Sequence, residues 1–116
     1  MNLVQGLKAI ASPTRLRILE LLGDPAVANA GFRQHGVVQR GATATALRRL
    51  LGLSQPALSE QMQKLLNTGL VEAQHVGRWV VYSRDEERIR QLRQTILEKL
   101  LPPATGTAAS PVAGSD

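Results

Sequence analysis

The sequence predicts a mainly helical fold carrying one small β-hairpin. Three stretches lead there. Ser54-Gln55-Pro56-Ala57-Leu58 opens a helix, with serine as cap and proline in the first turn, where a missing N–H costs nothing. Leu58, Met62, Leu65 and Leu66 then recur at helical spacing until Asn67-Thr68-Gly69, whose glycine suits a helix end. Just upstream, Thr45–Leu51 reads as a second short helix stopped by Gly52. Downstream, Leu70–Gln74 and Trp79–Tyr82 are strand-like, joined by His75-Val76-Gly77-Arg78 with glycine in the turn. Helix, glycine-containing turn and capped helix make a helix-turn-helix over about Thr43–Asn67, with Gln55–Asn67 as its recognition helix. The hairpin behind it adds a wing.

The remaining elements follow in order. Leu3, Leu7 and Ile10 give an opening helix with one apolar stripe, ending near Ala11. Ser12 caps and Pro13 starts the next, Thr14–Leu22, with Leu16, Leu19 and Leu22 inward and Ile18 and Leu21 widening the stripe. Gly23-Asp24-Pro25 ends it. From Asp24 to Gly41 periodicity fades, and the stretch reads mostly as loop with a short helical turn at Ala26–Ala30. A connection this long is either functional or mobile.

After the wing, Ser83-Arg84-Asp85-Glu86 reads as a capping box, Ser83 at the N-cap and Glu86 three residues on. The helix it opens carries Ile89, Leu92, Ile96 and Leu100, with Leu97 and Leu101 broadening the stripe, and stops at Pro102-Pro103. That stripe is wider than a small domain covers alone, so it has two uses: packing on the first helix of the same chain and pairing with a second copy. Residues 1–101 are thus read as one domain. Residues 102–116, rich in Ala, Gly, Ser, Thr and Pro without periodicity, are read as a disordered tail.

Composition narrows the function. The chain has 116 residues, 43% hydrophobic and 20% charged, which fits one globular domain. No apolar run approaches the roughly 20 residues that span a bilayer, and the N-terminus lacks the zones of a signal peptide. The expectation is a cytoplasmic protein. A net charge of +5 and a pI near 10.8 favour an anionic partner. Only Phe32, Trp79 and Tyr82 are aromatic, too few for the stacking platforms of single-strand and RNA binders, so duplex DNA is favoured. Cysteine is absent, which removes disulfides and thiolate metal sites together.

The polar side of the recognition helix carries Gln55, Ser59, Glu60, Gln63 and Lys64. Amides and hydroxyls both donate and accept, as reading base edges requires. Gln55, Ser59 and Gln63 are therefore the expected base readers, and Arg48, Arg49, Lys64 and Arg78 the expected phosphate contacts. For each residue the plainer reading is a solvated side chain.

The order of elements resembles the ArsR/SmtB family of bacterial repressors. The resemblance is carried by Leu7–Leu22, by Leu51-Gly52-Leu53-Ser54-Gln55-Pro56-Ala57-Leu58-Ser59, and by Leu65, Gly69-Leu70-Val71 and Gly77-Arg78-Trp79-Val80-Val81-Tyr82. It implies a homodimeric winged-helix repressor on an imperfect inverted repeat, released by an effector. It implies a dimer interface built from the first and last helices, here Leu3, Leu7, Ile89, Leu92, Ile96 and Leu100. Ser54, Gln55 and Ser59 match its recognition-helix positions, and Gln61, which stands where many members have histidine, is counted with them among the DNA contacts the resemblance implies. Its cysteine metal motif on the helix before the turn is missing, as is the Asp/His site of the last helix. Neither familiar metal site transfers, and no cofactor is predicted.

Two other readings stay open. His35 in the connection and His75 in the wing turn offer imidazole to nickel or zinc, although neither lies in a recognisable ligand spacing and both read as surface histidines. The winged helix could instead serve as an interaction module for a partner protein, with the 24–41 connection and the tail as working surfaces. An enzyme is not expected: Gly31–Gly36 and Gly36–Gly41 have phosphate-loop spacing but no Lys-Ser/Thr pair behind them.

Overall fold

Each helix of the core begins on a side chain that accepts a backbone N–H, and these caps set the boundaries. The computed structural model describes residues 1–30, 32–34 and 37–101. The elements are α1 (Leu3–Ile10), α2 (Pro13–Gly23), α3 (Pro25–Ala30), β1 (Phe32–Gln34), β2 (Val37–Gln39) and β3 (Ala42–Thr43). Then come α4 (Ala44–Leu51), α5 (Gln55–Leu66), β4 (Val71–Val76), β5 (Trp79–Arg84) and α6 (Glu86–Leu100). Asn2 and Gln5 close a reciprocal box at α1, at 2.8 and 2.9 Å. Ser12, Thr43 and Ser54 cap α2, α4 and α5.

The cap of α6 differs from the expected one. Ser83 is held in the sheet, paired with Glu72, and Arg84 with Val71. Asp85 is the first residue free of the ladder, and its carboxylate accepts the Arg88 N–H at 3.0 Å. The same pairing shortens the wing turn. His75 pairs with Val80 and Val76 with Trp79, so the turn is Gly77-Arg78 alone, with Gly77 at φ 60°.

The sheet has the order β3-β5-β4, antiparallel throughout, with Ala42 opposite Tyr82 and Thr43 opposite Val81. The connection expected to be mostly loop contains more structure than that. The turn at Ala26–Ala30 is present as α3, and β1 and β2 pair antiparallel, Phe32 opposite Gln39. Elements of two to six residues are too short to print a periodic stripe on the sequence. The additional helix makes the last one the sixth. His35 and residues 102–116, including the expected disordered tail, lie outside the described residues.

The core is assembled where α2, α4 and α5 meet the sheet. Ile18, Leu47, Leu58, Met62, Leu65, Leu70, Val71 and Val81 are fully buried. Burying each large side chain contributes about 1.5–3 kcal/mol. On α2 the buried stripe is Ile18, Leu19, Leu21 and Leu22. Leu16, expected inward, is 47% exposed, because the helical period turns it away from the centre of that stripe. Leu92 is the buried residue of α6 and packs against Gly6 of α1.

Candidate nucleic-acid interface

The outer face of α5 is positioned by the turn before it. Gly52 takes φ 68°, a left-handed conformation that glycine adopts at no steric cost. Its N–H and that of Leu53 both return to the Arg48 carbonyl. The chain then leaves through Ser54, whose hydroxyl accepts the Ala57 N–H at 3.3 Å. With Leu58, Met62 and Leu65 inward, Gln55, Ser59, Gln63 and Lys64 are exposed.

These side chains are not independent. The Gln55 amide nitrogen donates to Ser59 Oγ at 3.2 Å, and that of Gln63 to Asn67 Oδ1 at 2.8 Å. Both pairs are four residues apart, the spacing that stacks side chains on one helix face. Each glutamine keeps a second N–H and its carbonyl oxygen for an outside partner. A donor and an acceptor on one oriented amide match the major-groove edge of adenine. In the sequence Asn67 reads only as a helix-end residue; its four-residue offset from Gln63 is the signal that places it here.

The charged residues sort by geometry. Arg49, Lys64 and Arg78 are exposed. Arg48 is half-buried and folds back over the turn, its Nε donating to the Leu53 carbonyl at 3.4 Å. Arg78 stands at the wing tip with its guanidinium carbon 6.0 Å from the Trp79 ring centroid, at the outer reach of a cation–π contact. A cleft of about 240 Å³ lies between the wing and the two helix starts, lined by Ala44, Thr45, Gln55, Arg78, Trp79 and Val80. It brings Gln55 and Arg78 together although they are far apart in sequence. Thr45 joins them there, which a linear reading had no means to show.

Gln61 is the exception. Its amide oxygen accepts from Arg15 Nη1 at 2.7 Å, so it faces α2 and not the open side. The wheel contained that signal: Gln61 lies between Leu58 and Leu65, three and four residues away, on the buried stripe.

The expected dimer residues divide as well. Leu3, Ile89 and Ile96 are half-buried against their own core and Leu92 is buried in it, whereas Leu7 and Leu100 are exposed. Val4, Leu97 and Leu101 add to that apolar surface. A cleft of about 250 Å³ opens beside it, its apolar walls including Ile10, Leu16, Ile89 and Ile96.

Burial raises the Tyr82 phenol. On exposed α6, the hydrogen bond and charge of Arg90 lower the Glu87 carboxyl.

Among the described residues no three His, Asp or Glu side chains converge, and His75 stands exposed on β4. With no cysteine, α4 lacks the thiolates that the resemblance attaches to that helix, so these residues do not fit its metal site. Among the described residues no helix is long and apolar enough to cross a membrane.

A capped helix with a preset polar face, a tight turn before it and a short wing behind it define a winged helix-turn-helix. Residues 10–74, more than half of the chain, match the helix-turn-helix domain family. The chain belongs to that family, as a transcriptional regulator of the ArsR type. It is 28% identical over 95 residues to the HTH-type transcriptional regulator YbzH of Bacillus subtilis, covering 79% of this chain and 92% of that protein. It is 34% identical over 86 residues to the HTH-type transcriptional regulator NmtR of Mycobacterium tuberculosis, covering 74% of this chain and 59% of NmtR. Among solved structures it is similar to the homodimeric winged helix-turn-helix DNA-binding domain of Mb0332 from Mycobacterium bovis. That match has 25% identity and a TM-score of 0.58, covering 83% of this chain and 76% of that one.

Proposed function

We propose that the protein is a homodimeric, sequence-specific repressor that binds an inverted-repeat operator and is released by an effector other than a thiolate-bound metal. The observation that carries this reading is the pre-paired amide row on α5, Gln55 with Ser59 and Gln63 with Asn67, beside a cleft that contains Arg78. In this reading Gln55, Ser59 and Gln63 contact base edges. Arg49, Lys64 and Arg78 contact phosphates, and Ser54 and Arg48 hold the start of the helix against the backbone. Two copies joined through α1 and α6, by Leu7 and Leu100 with Val4 and Leu97, would present two recognition helices to successive major grooves, about 34 Å apart. The apolar surface left on those helices supports this pairing, as does the homodimeric state of the Mb0332 domain.

The test is a salt titration of binding to the DNA upstream of the protein's own gene, against a scrambled duplex, by fluorescence anisotropy. The expected result is tight operator binding that weakens steeply with salt. Gln55→Ala with Ser59→Ala should reduce operator affinity by more than about tenfold, given about 1–3 kcal/mol per good base contact, and leave the dimer intact. Equal, weak binding to both duplexes would sink the reading and favour a protein partner, sought next by pull-down.

A further inference from the structure

One side chain of α2 ties the end of α1 to the middle of α5. Arg15 Nε donates to the Ala9 carbonyl at 2.6 Å and Nη2 to the Lys8 carbonyl at 3.3 Å. Nη1 donates to Gln61 Oε1 at 2.7 Å. Lys8 and Ala9 lie in the last turn of α1, where a cation is favoured; the Lys8 carbonyl already accepts the Ala11 N–H at 3.3 Å, so its bond to Arg15 is a second one. The guanidinium is flat and its donors are fixed in one plane, so satisfying the α1 carbonyls also fixes where the third donor points. Gln61 meets it there, half-buried, on the stripe of Leu58, Met62 and Leu65. Arg15 is itself half-buried, and its backbone N–H is held by Ser12 Oγ at 3.3 Å. The bonds to Ala9 and Gln61 are half-buried, whereas the longer one to Lys8 is exposed.

We infer that Gln61 is a positioning residue for DNA recognition: through Arg15 it sets the pitch of α5 against α1, so the helix that offers Val4 and Leu7 for pairing also sets the angle of the reading face. The inference rests on the proposed DNA reading by α5. Gln61 then touches no base or phosphate. Its contribution is geometric, and any substitution that still accepts from Arg15 preserves it.

Two substitutions at this one position separate positioning from contact. Gln61→Ala removes the acceptor. Gln61→Glu keeps it and strengthens it, because a carboxylate accepts from a guanidinium more strongly than an amide does. Operator affinity, scrambled-duplex affinity and unfolding midpoint are measured for the wild type and both variants. The expected ranking is wild type first, Glu within about threefold, and Ala about tenfold weaker, where tenfold corresponds to 1.4 kcal/mol. Scrambled-duplex affinity should not change with Ala, since no phosphate contact is lost. If Gln61 reached DNA, the glutamate would face phosphates and bind worse than the alanine; that ranking overturns the inference. Equal operator affinity for all three also overturns it. If the alanine protein melts early, Gln61→Met, similar in size and a poor acceptor, takes its place in the ranking. A wild type that does not distinguish operator from scrambled duplex removes the DNA reading itself and this inference with it, a result recognisable before any variant is made.

Discussion

Helices α5 and α6 are both amphipathic, yet they use their two faces in opposite ways. On α5 the apolar face is spent inside the chain, with Leu58, Met62 and Leu65 fully buried, and the polar face is organised into paired amides. On α6 the apolar face is half spent. Leu92 is buried, but Leu100 is 70% and Leu101 65% exposed, and the polar face carries ordinary surface pairs such as Arg90 with Glu87 at 2.6 Å. Exposed pairs of that kind contribute little. The difference teaches where each helix keeps its unsatisfied chemistry: α5 in hydrogen-bonding groups, α6 in hydrocarbon. The surface left on α5 suits a polar partner, and that left on α6 an apolar one.

The largest expected effect attacks the buried side of that contrast. Leu65→Ala should cost about 2–5 kcal/mol of stability, whereas Leu100→Ala should cost the folded subunit less than about 0.5 kcal/mol. Urea denaturation at fixed protein concentration checks both, and equal costs would break the distinction. Next in size, Leu97→Asp with Leu100→Asp should raise the dimer dissociation constant by at least about thirtyfold, roughly 2 kcal/mol. Sedimentation equilibrium reads this, with helical circular dichroism expected to be unchanged. An unaltered constant would place the dimer contact elsewhere.

Smaller still, Arg78→Ala should lower the slope of log affinity against log salt by about one, while Gln55→Ala leaves it alone. A slope that moves with Gln55 would mean the two faces of the cleft are misassigned. The smallest effect concerns the core that both helices share, where Tyr82 packs in one cluster with Leu65 and Leu92. Burial raises the Tyr82 phenol above its ordinary value, which is about 10. The unfolded chain therefore ionises first, so this contribution is complete below pH about 10 and is lost as pH rises through the folded value. Tyr82→Phe should flatten that alkaline decline. Tyr82 is the single tyrosine, so phenolate absorbance reports its titration directly.

Elements announced by local chemistry were legible in the sequence. Ser12-Pro13, Ser54 with Pro56, and the glycines at 52 and 77 each mark a boundary that needs no distant partner. The features that were not legible depend on contacts across the chain. β3 is two residues long and is a strand only because Tyr82 and Val81 pair with it. The α6 cap moved from Ser83 to Asp85 because pairing with β4 holds Ser83 and Arg84 in the sheet. Within the candidate site, the exposed row from Gln55 to Lys64 was readable from the helical period. The cleft joining Gln55, Thr45 and Arg78 was not, since it exists only once the wing has folded back. Gln61 departs in a different way: the family resemblance sets it among the DNA contacts, while its position belongs to the buried stripe and its amide oxygen meets Arg15.

The wing turn has a consequence for how the protein meets a partner. With Val76 paired to Trp79, two residues close a hairpin of six on six, and nothing lies within 4 Å of where a side chain on Gly77 would begin. Such a wing has almost no loop left to order when it docks, so little conformational entropy is lost at that end of the interface. The backbone of its tip is fixed by the pairing of Val76 with Trp79, so the separation between the wing turn and α5 is set at folding, not at encounter. In the proposed DNA reading, association through this face is then a rigid-body search, with a rate governed by long-range charge and orientation and not by a slow closing step.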